Sequence, residues 1–329
     1  MTASSGRIVL VTGAAGFIGA AVCHALLARG DAVVGVDNLN DYYDVGLKQA
    51  RLAQLTSNKA FDFHQIDISD QGRMLKLAAD FPGITGIVHL AAQAGVRYSL
   101  VNPYAYVTSN VMGQVVVLEM ARALPALKHL VYASSSSVYG DNKKTPFAVG
   151  DTVDSPNSLY AATKRVDELL GHAYAHLYGL ASTGLRFFTV YGPWGRPDMA
   201  PMLFAKAINA GEPIRVFNDG EMWRDFTYID DIVDGVIRAL DRPATGTPPH
   251  AIYNLGNHKV EKLMDFIAEI EKALDKKAQM KMEPMQPGDV PITYADIEGS
   301  RSALGFEPST PISAGIPRFI AWFKDYYRA

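Results

Sequence analysis

The chain has 329 residues, of which 48% are hydrophobic and 20% charged, and its formal net charge is −3. These values are ordinary for a globular protein, and they predict no attraction to nucleic acid or to anionic membranes. Cys23 is the only cysteine, which excludes an internal disulfide bond and fits a reducing compartment such as the cytoplasm. The first apolar run is too short for a signal peptide or a membrane span.

Short apolar runs alternate with helical patterns along the first part of the chain. Strands are predicted at residues 7–13, 31–38, 61–68, 86–92, 128–135 and 182–188. Continuous apolar runs of this length suit parallel strands that are buried on both faces. Alternation of such strands with helices predicts an α/β fold, a Rossmann-type doubly wound parallel sheet with helices on both faces.

The pattern becomes irregular and richer in Pro and Gly after residue 190. We therefore predict two domains: residues 1–190 form the sheet domain, and residues 191–329 form a smaller C-terminal α/β lobe that binds substrate. The run at 213–220 is predicted to be a strand of that lobe. The run at 251–257 is predicted to return as a strand to the main sheet.

Three glycines mark the turn between the first strand and the first helix, Gly13, Gly16 and Gly19 in "TGAAGFIG". Such a turn lets the backbone approach a pyrophosphate at the helix N-terminus, although a glycine triplet alone also fits a tight turn with close helix packing. Asp37 ends the second strand, where an acid binds the adenosine ribose of NAD and repels the 2′-phosphate of NADP. Asn38 follows it instead of an arginine, so NAD is the predicted cofactor.

The third strand ends at Asp67 and Ile68. A carboxylate at this place is positioned to meet the adenine amino group. The alternative for Asp67 is the N-cap of the following helix.

Tyr160 and Lys164 in "YAATK" are four residues apart, so their side chains share one face of a helix. A lysine ammonium beside a phenol favours the phenolate, and a tyrosine tuned in this way can move a proton near neutral pH. Four serines in "SSSSVYG" follow the fifth strand. They are interpreted either as a polar turn or as hydroxyls presented at a site.

The motifs "TGAAGFIG", "HLAAQAGVRYS", "SSSSVYG", "YAATK", "LRFFTVYGPWGRPDM" and "RDFTYIDD" follow one another over nearly the whole chain. In this order they resemble the nucleotide-sugar epimerases of the extended short-chain dehydrogenase/reductase superfamily. The second and fifth motifs are most similar to members that act on UDP-glucuronate. The resemblance implies reversible C4 epimerisation to UDP-galacturonate through a 4-keto intermediate, with tightly bound NAD and no net oxidation.

The resemblance also implies site residues. Ser135 joins Tyr160 and Lys164 as a catalytic residue, although any of the adjoining serines could fill this role. The implied cofactor-binding residues are Gly13, Gly16, Phe17, Ile18, Gly19, Asp37, Asn38, Asp67, Ile68, Leu90, Ala91, Ala92, Asn110, Tyr160 and Lys164. The implied substrate-binding residues are Gln93, Arg97, Ser135, Ser136, Ser137, Tyr160, Thr189, Arg196, Arg215, Val216, Arg224 and Asp289. A surface salt bridge remains the alternative for Arg97, and a core asparagine the alternative for Asn110.

Ser136 and Ser137 stand where related dehydratases carry an Asp–Glu pair and related decarboxylases often carry an acid. Their hydroxyls, with that of Thr189, are hypothesised to hold the C6 carboxylate out of line with the C4 carbonyl, so that the β-keto acid keeps its CO2. The alternative is that a serine only caps the turn.

No metal is expected, because His24, His172 and His176 have no set of partner ligands. The resemblance implies a homodimer formed by helices near 111–124 and 159–177, with a UDP-sugar as substrate and a cytoplasmic location. The alternative activities are a UDP-glucuronate decarboxylase and a UDP-glucose 4-epimerase. The alternative from another class is a non-catalytic NAD-binding regulator.

Overall fold

Strands and helices alternate along the chain as the sequence predicts. The computed structural model describes residues 6–286 and 289–328, so the parts of the two predicted domains at 1–5, 287–288 and 329 lie outside the described residues. The strands are β1 (Ile8–Thr12), β2 (Ala32–Asp37), β3 (Phe61–Gln65), β4 (Ile84–His89), β5 (His129–Ser135), β6 (Ser182–Phe187), β7 (Thr189–Tyr191), β8 (Pro213–Phe217), β9 (Trp223–Arg224), β10 (Phe226–Tyr228), β11 (His250–Leu255), β12 (Glu261–Lys262) and β13 (Gln279–Glu283).

The helices are α1 (Phe17–Ala28), α2 (Val45–Leu55), α3 (Gln71–Asp80), α4 (Tyr98–Val101), α5 (Pro103–Tyr106), α6 (Gly113–Ala123), α7 (Leu159–Tyr178), α8 (Ala200–Ala210), α9 (Ile229–Leu240), α10 (Leu263–Leu274), α11 (Glu298–Leu304) and α12 (Ile312–Tyr327). A π-helical turn, Val107–Met112, joins α5 to α6, and a 3-10 turn, Ser136–Tyr139, follows β5. Within the described residues, no helix combines the length and the apolar character needed to cross a bilayer.

Seven strands form one parallel sheet in the order β3-β2-β1-β4-β5-β6-β11. The predicted Rossmann-type fold is confirmed, and β11 is the predicted returning strand, paired in parallel with β6. The order of the strands reverses beside β1. In doubly wound sheets, ligands bind at the carboxyl ends of the strands at this point.

Alternate side chains of β1 enter two separate apolar cores. Val9 and Val11 lie in the core that α1 and α9 cover, whereas Leu10 lies in the core that α3 and α6 cover. The strand is therefore buried on both faces. This burial explains why the predicted strands read as continuous apolar runs.

The chain from residue 189 onward forms three small strand pairs, β7 with β10, β8 with β13 and β9 with β12. Helices α8, α10 and α12 pack together beside them. Helix α9 packs on α1, β4 and β5, so the segment that lies on the main sheet runs from α9 to β11 and is longer than the predicted strand alone. The division at residues 190 and 191 stays a prediction.

A buried ion pair attaches α7 to β5 and β6. Arg186 of β6 donates from Nε to Glu168 Oε1 at 2.8 Å and from Nη2 to Oε2 at 2.9 Å. Ser134 of β5 donates to Glu168 Oε1 at 2.6 Å. Burial acts to raise the pKa of Glu168, but the bonds from Arg186 and Ser134 outweigh it and lower the pKa. The stabilisation by this carboxylate is therefore present at neutral pH and is lost only as the pH falls below the ordinary range of a glutamate.

Replacing Glu168 by alanine would leave Arg186 buried and unpaired. We expect Glu168→Ala to lower the free energy of unfolding by about 3–5 kcal/mol, measured by urea denaturation. Asp80→Ala is the control, because Asp80 forms an exposed pair with Lys76 on α3. It should cost no more than about 1 kcal/mol. Equal losses in the two variants would contradict the importance of the buried pair.

Candidate active site

A cleft of ≈ 360 Å³ opens at the carboxyl ends of the sheet strands. It brings together most of the residues that the sequence predicts for the site. These residues are Gly13, Gly16, Phe17, Ile18, Gly19, Asp37, Asn38, Ile68, Leu90, Ala91, Ala92, Gln93, Ser135, Ser136, Ser137, Tyr160, Lys164, Thr189 and Arg196.

Two glycines at the turn after β1, Gly13 and Gly19, have no room for a side chain. Gly13 has a φ of +74°, and a Cβ atom on it would lie 2.8 Å from the backbone nitrogen of Ala91. A Cβ atom on Gly19 would lie 2.0 Å from the carbonyl oxygen of Gly13. Gly16 is the N-cap of α1, and no side chain caps the helix there. The first turn of α1 therefore faces the cleft in the way that a phosphate-binding helix N-terminus requires.

Asp37 shapes the loop that follows β2. Its carboxylate accepts hydrogen bonds from the backbone N–H groups of Ala15 at 3.1 Å and Leu39 at 2.9 Å. These contacts join the end of β2 to the glycine turn. The carboxylate still lines the cleft, where the sequence predicts contact with the ribose.

Asp67 bonds a residue that lines the cleft. Its carboxylate accepts from Asn38 Nδ2 at 2.8 Å and from the backbone N–H and the hydroxyl of Ser69. Burial acts to raise the pKa of Asp67, but these bonds outweigh it and lower the pKa. Asp70 is the N-cap of α3, so the N-cap alternative for Asp67 is wrong. Asp67 is not among the described residues that line the cleft, but it bonds Asn38, which is, and its contact with adenine stays a prediction.

The four serines after "HLVYA" have different partners. Ser134 is buried and donates to Glu168, which makes it structural. Ser135 ends β5, and its Oγ accepts the backbone N–H of Ser137 at 3.2 Å. Ser136 begins the 3-10 turn and also lines the cleft. All four serines line the cleft, and Ser134 is the one that also bonds the buried Glu168.

Tyr160 and Lys164 both reach the cleft from the first turns of α7. Lys164 Nζ donates to the carbonyl oxygen of Ala133 at 2.9 Å and to Asp167 Oδ2 at 3.0 Å. Burial acts to lower the pKa of Lys164, but Asp167 and Tyr160 outweigh it and raise the pKa. Lys164 is therefore an ammonium at neutral pH.

Asn110 lies in the π-helical turn and is almost fully buried. Its Oδ1 accepts the backbone N–H of Gln93 at 2.8 Å, and its Nδ2 donates to the Gln93 carbonyl and to Thr163 Oγ1. These intraprotein hydrogen bonds match the alternative of a core asparagine, and contact of Asn110 with the cofactor stays a prediction. Asn110 ties the Gln93 loop to α7 one residue before Lys164.

Three of the four predicted substrate arginines, Arg97, Arg215 and Arg224, are not among the cleft-lining residues. Arg97 and Arg215 lie over the Phe217 ring, with the guanidinium carbons 5.0 Å and 4.9 Å from its centroid. Arg97 also pairs with Asp289 at 3.5 Å. We call Arg97, Arg215 and Arg224 the arginine cluster. Asp289, which pairs with Arg97, also acts on the charge of Arg224. The salt-bridge alternative for Arg97 therefore describes its contact in this structure.

Arg224 and Val216 make contacts within the protein in this structure. Arg224 donates to the backbone carbonyls of Trp223 and Pro291, and burial lowers its pKa although Asp289 acts to raise it. The Val216 side chain is fully buried in the core, because alternation along β8 turns its neighbours Arg215 and Phe217 outward. The contact of Val216 with the uracil stays a prediction.

Sequence reasoning missed two cations of α2. Lys48 lines the cleft and donates to the backbone and the side chain of Asn40. Arg51 is 1% exposed and donates to the carbonyl oxygens of Ala15 and Trp194. A signal was present, because Arg51 lies between Leu47 and Leu55 on the apolar stripe of the helix.

Two of the histidines named above, His24 and His172, lie in surroundings without metal ligands among the described residues. Burial lowers the pKa of His24. His172 packs edge-to-face on His250, with 5.6 Å between the ring centroids. Within residues 6–286 and 289–328, no three His, Cys, Asp or Glu side chains are grouped as metal ligands.

A family model described as "NAD dependent epimerase/dehydratase family" matches residues 9–256. The chain belongs to this family. It is 47% identical to UDP-glucuronate 4-epimerase 1 of Arabidopsis thaliana, over 98% of this chain and 78% of that protein. It is 46% identical to the probable UDP-glucuronate 4-epimerase of Rhizobium meliloti, over 97% of each chain.

The fold of this family member also matches solved structures. It agrees with the UDP-glucuronic acid 4-epimerase of Bacillus cereus, crystallised with UDP-glucuronic acid and NAD, at a TM-score of 0.90 and 34% identity. The match covers 98% of this chain and 100% of that chain. Membership of an NAD-dependent family agrees with the geometry of the cleft. The closely packed glycines of the turn, the α1 N-terminus without a side-chain cap and Asp37 all fit a dinucleotide.

A side chain on the glycine turn should displace the cofactor. We expect Gly19→Ala to weaken NAD binding at least about tenfold, because the new methyl group collides with Gly13 and moves the turn. NAD released from the denatured protein and quantified by chromatography measures the effect. Gly72→Ala is the matched control, because its nearest neighbour would be a side-chain atom of Asp70 at 3.6 Å. An unchanged NAD content in Gly19→Ala would contradict the assignment of the turn.

Proposed function

We propose that the protein catalyses the reversible C4 epimerisation of UDP-glucuronate to UDP-galacturonate, with retained NAD and no net oxidation. The observation that carries the proposal is the chemistry of the cleft beside Tyr160. Four serines, Ser134 to Ser137, and Thr189 line it there, and among the described residues that line the cleft Asp37 alone carries a carboxylate. The relatives named for this reaction, which align along nearly the whole chain, support the same substrate.

Tyr160 is proposed to move the O4 proton. Its phenol accepts the proton as the sugar is oxidised at C4 and returns it on reduction, and Lys164 stabilises the phenolate charge. Ser135 shares the hydrogen bond to O4. NAD supplies hydride transfer at C4 in both directions when it is bound. The 4-keto sugar has to turn over in the cleft before reduction on its other face.

The neutral hydroxyls are proposed to protect the keto acid. A 4-keto hexuronate loses CO2 when its carboxylate leaves in line with the carbonyl π system. Ser136, Ser137 and Thr189 border the cleft as donors that can hold the carboxylate out of that line. They carry no acid that could serve an elimination. If alanine at these three positions released no extra CO2 in the assay below, this part of the proposal would fail.

The nucleotide is proposed to bind at the arginine cluster. Arg224 and Arg97 offer guanidinium groups that match phosphate oxygens in pairs. Arg215 and Phe217 are proposed to contact the base with a cation and a ring. Asp289 offers an acceptor for the uridine ribose, and Arg196 offers a further cation at the cleft. In this arrangement Arg97 exchanges its contact with Asp289 for the ligand.

We also propose a cytoplasmic homodimer. Large apolar side chains are exposed on the segment from α4 to the π-helical turn and on α7, and these elements pack together. They are Leu100, Val101, Tyr104, Val107, Met112, Leu169, Leu177 and Tyr178. An exposed group of this kind suits a two-fold interface. A single-chain mass by light scattering would contradict the dimer, and recovery of the protein outside the cytoplasm on cell fractionation would contradict the location.

Proton NMR of UDP-glucuronate with the purified protein, and no added cofactor, tests the function directly. We expect UDP-galacturonate to form until the two sugars reach equilibrium. Tyr160→Phe should lower kcat by about 10²- to 10⁴-fold, because the proton acceptor is lost. Tyr174→Phe is the matched control on the same helix, since the Tyr174 hydroxyl bonds Glu119 on α6. It should keep its activity.

Other products would contradict the proposal in distinct ways. A UDP-pentose with CO2 would identify a decarboxylase. Conversion of UDP-glucose but not of UDP-glucuronate would identify the neutral-sugar epimerase. No reaction of either sugar with NAD added would leave the NAD-binding regulator.

A further inference from the structure

A second charge of α7 lies directly against the catalytic lysine. Asp167 is 2% exposed, and its Oδ2 lies 3.0 Å from Lys164 Nζ. The ammonium also donates to the Ala133 carbonyl, so two of its three N–H groups are taken by the protein. One N–H group remains for Tyr160 and the cofactor. Asp167 thus helps to decide where the ammonium is held.

The carboxylate also changes the charge that Tyr160 experiences. Lys164 alone would favour the phenolate strongly, because water screens buried charges poorly. A carboxylate in contact with the ammonium offsets part of this effect. We propose that Asp167 is a positioning residue that holds the Lys164 ammonium and offsets its charge, and so sets the pH range in which Tyr160 accepts a proton. The inference rests on the proposed function.

The cost of burying Asp167 supports a role beyond packing. Its Oδ1 is buried and has no hydrogen-bond partner in the described part of the chain. Burial raises the pKa of Asp167 to about 6, although Lys164 acts to lower it. The carboxylate is therefore ionised at neutral pH while half of its oxygen atoms are unsatisfied. An apolar side chain of similar volume would usually fill such a place at lower cost.

The other groups near Asp167 and Lys164 are either neutral at neutral pH or paired with another residue. The charged and titratable groups that interact with Asp167, Lys164 or Tyr160 are Glu168 on α7, Tyr132 on β5, His89 on β4, Tyr106 on α5 and Arg196 after β7. Arg186 on β6 contacts Glu168, and His250 on β11 contacts Tyr132. Burial lowers the pKa of His89 to about 3 and of His250 to about 4, so both are neutral at neutral pH. Burial raises the pKa values of Tyr132 and Tyr106.

The remaining charges have their own partners. Glu168 is paired with Arg186, and Arg196 is paired with Asp198. Removing the Asp167 charge should therefore change the electrostatic potential at Lys164 and Tyr160, because the neighbouring charges are already paired.

Asp167→Asn tests the inference, because asparagine keeps an oxygen acceptor for Lys164 and removes the charge. The holoenzyme with bound NAD is labelled with [13Cζ]tyrosine, and the Tyr160 resonance is identified by its loss in Tyr160→Phe. We expect the midpoint of the Tyr160 titration to move to lower pH by about one unit in Asp167→Asn. The acid limb of the pH profile of kcat should move by the same amount, which lost packing would not cause.

Three further variants make the result decisive. Asp167→Glu keeps the charge and should titrate like the wild type. Asp154→Asn removes a carboxylate that is 72% exposed and lies 3.6 Å from Arg165, and it should leave the titration unchanged. Asp167→Ser provides a second neutral variant in case the asparagine variant does not fold. An unshifted Tyr160 titration in the folded neutral variant would overturn the inference.

The titration needs no sugar nucleotide. A shifted Tyr160 resonance in a protein that does not epimerise UDP-glucuronate would support the role of Asp167 and refute the proposed function. An unshifted resonance in an active epimerase would do the reverse.

Discussion

One face of α7 determines the geometry of the site, and the ion pair of Glu168 with Arg186 fixes that face. Tyr160, Lys164 and Glu168 follow one another at intervals of four residues, so they lie along one stripe of the helix. Arg186 and Ser134 hold Glu168 against β6 and β5. Because Glu168 is anchored to the sheet, the two residues before it on the stripe are directed to the cleft at the strand ends.

The two sides of the cleft are joined by a second buried cation. Arg51 donates to the carbonyl of Ala15 in the glycine turn and to the carbonyl of Trp194, in the segment that carries Arg196. The planar guanidinium can reach several acceptors at once, which a lysine ammonium at the end of a flexible chain would not hold in the same geometry. The cofactor side and the sugar side of the cleft are therefore positioned by one side chain.

Local patterns were sufficient for the sheet and for much of the cleft. Strands buried on both faces appear as apolar runs, and the Tyr160–Lys164 pair follows from helical spacing. The partners of buried charges could not be read in this way. Asp167 occupies a helix position that only the fold makes interior, and the hydrogen bonds of Asn110 to Gln93 and Thr163 join segments that are far apart in the sequence. Val216 shows the same limit, since the packing of β8 decides which of its side chains are exposed.

The distribution of charge across the cleft suits a substrate that passes through a β-keto acid. Ser136, Ser137 and Thr189 line the cleft, and Lys164 and Asp167 form a charged pair on the helix that carries Tyr160. A carboxylate at one of the serine positions would repel the hexuronate and offer a base for elimination. The same charge placed on Asp167 can adjust the proton affinity of the phenol without meeting the sugar. In the proposed reaction, a carboxylate held away from the sugar tunes proton transfer and still leaves the carboxylate of the intermediate intact.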